Sequence, residues 1–203
     1  MEQNFKIQKR YDRIAKYYDF FEGLMEKGAM EQWRKIVWEQ AQGQVLEVGV
    51  GTGRNIPYYP EHCQVTAIDF STKMLEKAKE KTTMFHKRVD LQQMDVQSLQ
   101  FPDHTFDTVI STCVFCSVPD PVKGLQEIQR VCKLQGQIIM LEHVRSQKPL
   151  LGWLMDLLNP LAVRMIGDNI NRDTIKNLRN AGIKVVHEQN LASDIVKLLK
   201  CSS

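Results

Sequence analysis

The sequence predicts an α/β fold, a seven-stranded and mainly parallel sheet with helices on both faces. Short apolar runs, often β-branched and flanked by turn residues, alternate along the chain with amphipathic stretches. The 203 residues suit one domain with a substantial core, and 43% hydrophobic with 25% charged residues is an ordinary globular composition. No repeat, low-complexity tract or linker divides the chain, so residues 1–203 are expected to form one domain.

In chain order, Ile7, Tyr11, Ile14, Tyr18, Phe21 and Met25 recur at intervals of four and three, which is one helical face. Lys6, Lys9, Arg10, Arg13 and Lys16 crowd much of the rest. Helices are expected within residues 1–40. Three roles fit the first of them: a docked helix with a solvated basic face, a lid over a ligand, or a helix lying on an anionic membrane surface. Val45–Val48 and Val65–Asp69 read as the first two strands, and Ser71 caps a helix running to about Thr82. Val89–Met94 and Thr108–Thr112 are the next strands. Asp120 followed by Pro121 is a helix start, continued by the stripe Val122, Leu125, Ile128, Val131 and Cys132. Gln137–Glu142 is the fifth strand. Asn171 is expected to cap a helix ending near Ala181–Gly182, before the last strands Ile183–Gln189 and Ile195–Leu199.

Between the fifth strand and that helix, residues 145–170 form an apolar insertion. Asp156, Asn159, Pro160 and Arg164 interrupt it, so it should not span a bilayer. It starts beyond the carboxyl end of a strand, where doubly wound folds bind ligands. It therefore reads either as a wall for a greasy molecule or as an ordinary core or dimer helix pair.

Composition excludes several function classes. A formal charge of +3 is too small to imply a nucleic-acid partner. No run of eighteen apolar residues predicts a membrane span, and MEQNFKIQKRYDR lacks the apolar region of a secretory signal. Five cysteines do not make a disulfide framework. Cys113 and Cys116 form a lone C-x-x-C inside the apolar run TVISTCVFCSV. They are expected to be two core thiols, and no metal site is predicted. Reduced thiols without a signal point to the cytoplasm.

The stretch Val45-Leu-Glu-Val-Gly-Val-Gly-Thr-Gly-Arg-Asn55 is an apolar strand entering a glycine turn. Gly49, Gly51 and Gly53 suit a turn that a small molecule presses against, since glycine lets a ligand approach the backbone. Asp69, twenty residues beyond Gly49, ends the next strand, where a carboxylate can accept hydrogen bonds from both ribose hydroxyls. Together they point to a nucleoside cofactor. Arg54 occupies the sixth position of a G-x-G-x-x-G/A pattern, where close helix packing needs a small residue, and this disfavours a dinucleotide without excluding it.

LEVGVGTGRN, AIDFSTKML, MDVQSLQFPDHTFDTVIS and EIQRVCKLQGQIIMLEHV resemble the successive motifs of class I S-adenosylmethionine-dependent methyltransferases, which share a Rossmann-like fold. The chain is most similar to the UbiE-like branch of quinone biosynthesis. It also resembles bacterial phosphatidylethanolamine N-methyltransferases and methyltransferase-like 7 thiol methyltransferases. The likeness is strong over Val45–Val144, moderate over Tyr11–Asp19 and weaker after Arg145. It implies that Glu47 and the Gly49–Gly53 backbone hold the methionine portion of S-adenosylmethionine, and Asp69 the ribose. Phe70 and Met74 would flank the adenine, with Asp95 accepting from its amino group and Val96 supplying a backbone contact. The backbone at Thr112 and Cys113 would meet the methionine amino group. Tyr11–Asp19 resembles a lid segment, making residues 1–40 lid helices, with Tyr11 on the cofactor and Tyr18 facing cofactor and acceptor. The family's R-x-L-x-P-G-G turn is replaced by Arg130-Val-Cys-Lys-Leu-Gln-Gly136.

The implied reaction delivers a methyl group to a lipophilic acceptor such as a phospholipid amine or a quinone, releasing S-adenosylhomocysteine. Two alternatives are a small-molecule thiol methyltransferase, which Asn169-Ile-Asn-Arg172 after Glu142-His-Val144 resembles, and a non-catalytic module. A base is needed only if the acceptor arrives protonated; Tyr18 and His143 are the catalytic candidates, with Cys116 and Glu142 nearby. Partners are a small-molecule or lipid acceptor and, through residues 1–25, a peripheral contact with the inner membrane surface; no nucleic acid is expected.

Overall fold

A computed structural model describes Asp12, residues 28–165 and residues 167–202. The expected helices before residue 28 and the side chains of Tyr11 and Tyr18 lie outside them. The described elements are α1 (Ala29–Trp38), β1 (Gln44–Val48), a short 3₁₀ turn (Ile56–Tyr58), β2 (Gln64–Asp69), α2 (Thr72–Met84), β3 (Val89–Gln93) and β4 (Phe106–Thr112). They continue with α3 (Pro121–Val131), β5 (Cys132–His143), α4 (Pro149–Met165), α5 (Thr174–Asn180), β6 (Lys184–Ala192) and β7 (Val196–Ser202).

The seven strands lie in one sheet in the order β3-β2-β1-β4-β5-β7-β6. The pairs from β3 through β5 are parallel; β5–β7 and β7–β6 are antiparallel. The sheet is therefore mixed at one edge, because β6 and β7 are joined by a three-residue turn too short for a crossover. Alternation along each strand divides the core into two layers. Leu46, Val48, Val109, Ile138 and Met140 face one side with Phe115, Leu125 and Ile128. Val45, Ile110, Ile139 and Leu141 face the other with Val37, Trp38, Ile56 and Tyr59.

Several boundaries differ from the sequence expectation. Ser71 and Asp120 cap α2 and α3 as expected, accepting from the amides of Met74 and Lys123. The cap of α5 is Asp173, not Asn171: its carboxylate accepts from the Lys176 amide, whereas Asn171 donates to Asp156. β5 begins at Cys132, directly after α3, so the altered Arg130–Gly136 stretch is the end of that helix followed by strand, and not a turn. Its register with β4 jumps between the Phe106 and Thr108 pairs, which absorbs the extra residues as a bulge.

Candidate active site

β1 and β4 are neighbours in the centre of the sheet although β2 and β3 intervene in sequence, so the chain reverses its winding there. A crevice at the carboxyl ends follows from that topology. It encloses about 960 Å³ of empty space, part of it open to solvent. Its lining includes Gly49, Gly51, Asp69, Phe70, Met74, Asp95, Val96, Thr112 and Cys113, nine of the residues singled out from sequence.

The glycine turn is held by the backbone of β2 and by Asp69. The Val50 amide donates to the Ile68 carbonyl at 3.0 Å, and the Gly51 amide donates to Asp69 Oδ2 at 2.9 Å. Asp69 Oδ1 accepts from the Ser71 amide at 2.9 Å, so one carboxylate joins the turn to the start of α2. Ser71 also donates its hydroxyl to Asp12 at 2.5 Å, which places Asp12 at the start of α2. Burial pushes the Asp69 carboxyl up to about 6, against the pull of the two amides.

The three glycines differ in what they permit. All have positive φ. A Cβ on Gly49 would lie 2.5 Å from a Val114 methyl, and one on Gly53 would lie 2.4 Å from Ile56 Cδ1 and 3.0 Å from the Ala78 Cα. Those two let the turn pack against its own protein. A Cβ on Gly51 would meet nothing within 4 Å, although Gly51 lines the crevice. The open side of the turn is where a ligand fits.

Glu47 lies beneath this floor and not among the lining residues. It is buried, accepting from Asn55 Nδ2 at 2.5 Å on one oxygen and from the Tyr59 hydroxyl on the other. Asn55 in turn accepts from Arg34 at 2.9 Å and donates to the Thr112 hydroxyl at 3.2 Å. Burial raises the Glu47 carboxyl to about 8, opposed by the Asn55 hydrogen bond and by the charge of Arg34. Arg34, which lines the crevice, was not anticipated. It sits on α1 with no motif around it, and only the burial of a guanidinium on that helix reveals it.

On the opposite wall Asp95 accepts from the Gln97 amide and side chain, at 2.9 and 3.0 Å, and Gln97 accepts from the Asp120 amide at 3.0 Å. β4 ends at Thr112. Cys113 takes positive φ, with its amide donating to Leu141 at 2.8 Å. Cys113 is therefore exposed at the crevice and only Cys116 is buried, which corrects the expectation of two core thiols. The apolar run misled because the strand stops before its first cysteine. Cys116 is a poor nucleophile, since burial raises its thiol well above the ordinary range. His143, at the end of β5, is half-buried, and burial lowers its imidazole pKa.

No described residue of the apolar insertion lines the crevice. Helix α4 instead connects to its wall through polar contacts. Asn159 donates to Asn169 at 3.4 Å, and Asn169 donates through its amide and side chain to the Cys116 carbonyl at 3.0 and 2.9 Å. Arg172 donates to the Cys116 and Val118 carbonyls, at 3.1 Å each. Among the described residues, no cluster of three or more His, Cys, Asp or Glu side chains could hold a metal ion.

Residues 46–140 match the family model of the methyltransferase domain. The chain is 38% identical over 144 residues to phosphatidylethanolamine N-methyltransferase of Cereibacter sphaeroides, covering 70% of each protein. It is 32% identical to the ubiquinone/menaquinone biosynthesis C-methyltransferase UbiE of Geotalea uraniireducens, over 70% of this chain and 64% of that one. Against the human thiol S-methyltransferase TMT1B it is 34% identical, over 75% of this chain and 68% of that one. A crystal structure of an S-adenosylmethionine-dependent methyltransferase from Thermotoga maritima superposes with a TM-score of 0.73 at 18% identity, covering 96% of this chain and 98% of that one.

Proposed function

The chain belongs to the class I S-adenosylmethionine-dependent methyltransferases, and from that premise we propose that its acceptor is lipophilic, a phospholipid amine or a quinone ring carbon. One observation carries the reading: the strap from Asn159 to Arg172 ties the apolar helix α4 to the crevice wall at Cys116–Val118. An apolar helix thus stands beside the crevice, which supports a greasy acceptor. Two relatives are named for N-methylation of phosphatidylethanolamine and for C-methylation in ubiquinone/menaquinone biosynthesis, which supports the same class.

The residues fit the cofactor. Gly51 leaves open space beside a carboxylate, Asp69, suited to ribose hydroxyls. Phe70 and Met74 would flank the adenine, Asp95 and Val96 would meet its polar edge, and the backbone at Thr112 and Cys113 would receive the methionine amino group. Glu47 acts from below, through Asn55, on the floor of the same pocket. When bound, S-adenosylmethionine supplies an electrophilic methyl group on a sulfonium. The chain's task is then to align the acceptor with it and exclude water, and orientation of this kind can contribute about 7–11 kcal/mol. An acceptor that arrives protonated needs a base. His143 is the candidate among the described residues, by its place at the carboxyl end of β5, although it lies outside the crevice lining and burial lowers its imidazole pKa; Tyr18 is the candidate from the amino-terminal segment.

The test is a panel: labelled S-adenosylmethionine with phosphatidylethanolamine, a demethylquinone and an alkyl thiol. Label transfer to the lipid amine or the quinone supports the reading. Transfer to the thiol alone replaces it with the activity named for the human relative. Tight cofactor binding without any transfer assigns the chain to a non-catalytic module.

A further inference from the structure

Helix α4 turns its large apolar side chains outward. Leu150 is 79% exposed, Trp153 59% and Leu157 60%, and Leu154, Leu158 and Leu161 are exposed as well. These six recur every three or four residues, so they form one stripe along the helix. The opposite side makes the attachment to the domain. Met155 is buried, and the Gly152 Cα packs so close that a Cβ there would lie 2.6 Å from the Ser146 carbonyl. Exposed apolar side chains scattered singly need no explanation, but five leucines and a tryptophan on one face mark a surface built to be covered.

The charges around the stripe select what covers it. Lys148 precedes the helix and Arg164 lies in its last turn, both exposed. The acidic residue of α4, Asp156, is off the stripe and engaged by Arg145 at 2.9 and 2.7 Å and by Asn171 at 3.0 Å. A second copy packed on this stripe would bring Lys148 and Arg164 against like charges, parallel or antiparallel, with no carboxylate on the face to pair them. Lipid phosphates and anionic headgroups supply the missing complement. The helix is also too short to cross a bilayer, and among the described residues none is long and apolar enough to do so.

We propose that α4 docks this protein on an anionic lipid bilayer, lying in the plane of the interface with the Leu150–Leu161 stripe among the acyl chains. Trp153 sits at the headgroup boundary, where an indole is favourably placed. Docking there sets the strap from Asn169 to Arg172, and the crevice wall it holds, beside the membrane surface. The inference adds to the acceptor reading and is tested apart from it, because vesicle binding is measured with neither cofactor nor acceptor present.

The experiment measures co-sedimentation with vesicles of phosphatidylcholine mixed with phosphatidylglycerol, and follows tryptophan emission. The wild-type protein should bind, bind more weakly to phosphatidylcholine alone, and shift its emission to shorter wavelength; Trp153→Phe should abolish that shift, since Trp38 is already fully buried and Trp33 is packed, partly buried, against the core on α1, away from α4. The combined variant Leu154→Ser, Leu157→Ser, Leu161→Ser should lower partitioning about tenfold or more while leaving S-adenosylhomocysteine affinity unchanged. Absent vesicle binding, or binding that the triple variant leaves intact, overturns the proposal. A wild-type dimer in sedimentation velocity that the triple variant dissociates, without vesicle binding by either protein, assigns the stripe to a second copy instead.

Discussion

Replacing Glu47 by Gln should stabilise the ligand-free protein, and increasingly so as pH rises. Glu47 is buried and its carboxyl is pushed up from 4.5 to about 8, chiefly by desolvation. The native state therefore holds this proton more tightly than the unfolded chain does. Below pH 4.5 both states are protonated and nothing is lost. Between 4.5 and about 8 the unfolded chain ionises while the fold does not, so stability falls as pH rises. For these two values the loss is about 3 kcal/mol at pH 7. A glutamine copies the protonated carboxyl: its carbonyl can accept from Asn55 Nδ2 and its amide can donate to the Tyr59 oxygen. The gap in melting temperature between Glu47→Gln and wild type should open from near zero at pH 4.5 to roughly 6–12 °C at pH 7, taking about 2–4 °C per kcal/mol for a chain of this size. Burial also raises the carboxyls of Asp69, to about 6, and Glu142, to about 7. Both slope the same way, so the difference between variant and wild type is the quantity to read. Calorimetric scans from pH 4.5 to 8 would measure it; a gap that stays flat across that range refutes the assignment of a buried neutral carboxyl.

Four further outcomes follow from the same geometry. Asp69→Ala should weaken S-adenosylhomocysteine binding at least about tenfold in titration calorimetry, because two ribose hydroxyls lose their acceptor; unchanged affinity removes Asp69 from the site. Gly53→Ala should cost stability, about 1–3 kcal/mol by denaturant titration, since its methyl would meet Ile56 and the α2 backbone at Ala78. Gly51→Ala should cost only about 1 kcal/mol of stability for its positive φ, yet reduce cofactor affinity, because its methyl projects into open space at the crevice; equal stability losses would dissolve that distinction. A thiol reagent should modify Cys113 faster than Cys116, Cys132 or Cys201, which are buried, and S-adenosylhomocysteine should slow that reaction; no protection would put the ligand elsewhere.

The sequence was informative where one local rule decides the outcome. Central strands with two buried faces read as β-branched runs, and the caps at Ser71 and Asp120 follow from side chains within reach of the next amides. The glycine turn and Asp69 were legible because ligand approach and a strand end each leave a residue type behind. What failed depends on contacts distant in the chain. Asn171 and Asp173 are both good caps by type, and the pull of Asp156 on Asn171 settles which one serves. The start of β5 at Cys132 depends on pairing with Phe106, which no local pattern contains. Arg34 reaches the site through Asn55, and Glu47 is held by Tyr59, pairings between positions twelve or more residues apart. The apolar insertion was recognised, but whether its leucines face inward or outward is a tertiary matter. They face out.

The most direct test is a crystal structure of the protein with S-adenosylhomocysteine. The ribose hydroxyls should lie within hydrogen-bond distance of the Asp69 carboxylate, with the homocysteine passing over Gly51 and the adenine between Phe70 and Met74 beside Asp95. An adenosine bound away from Asp69, or a crevice that closes on Gly51 and leaves no room for it, would contradict the account.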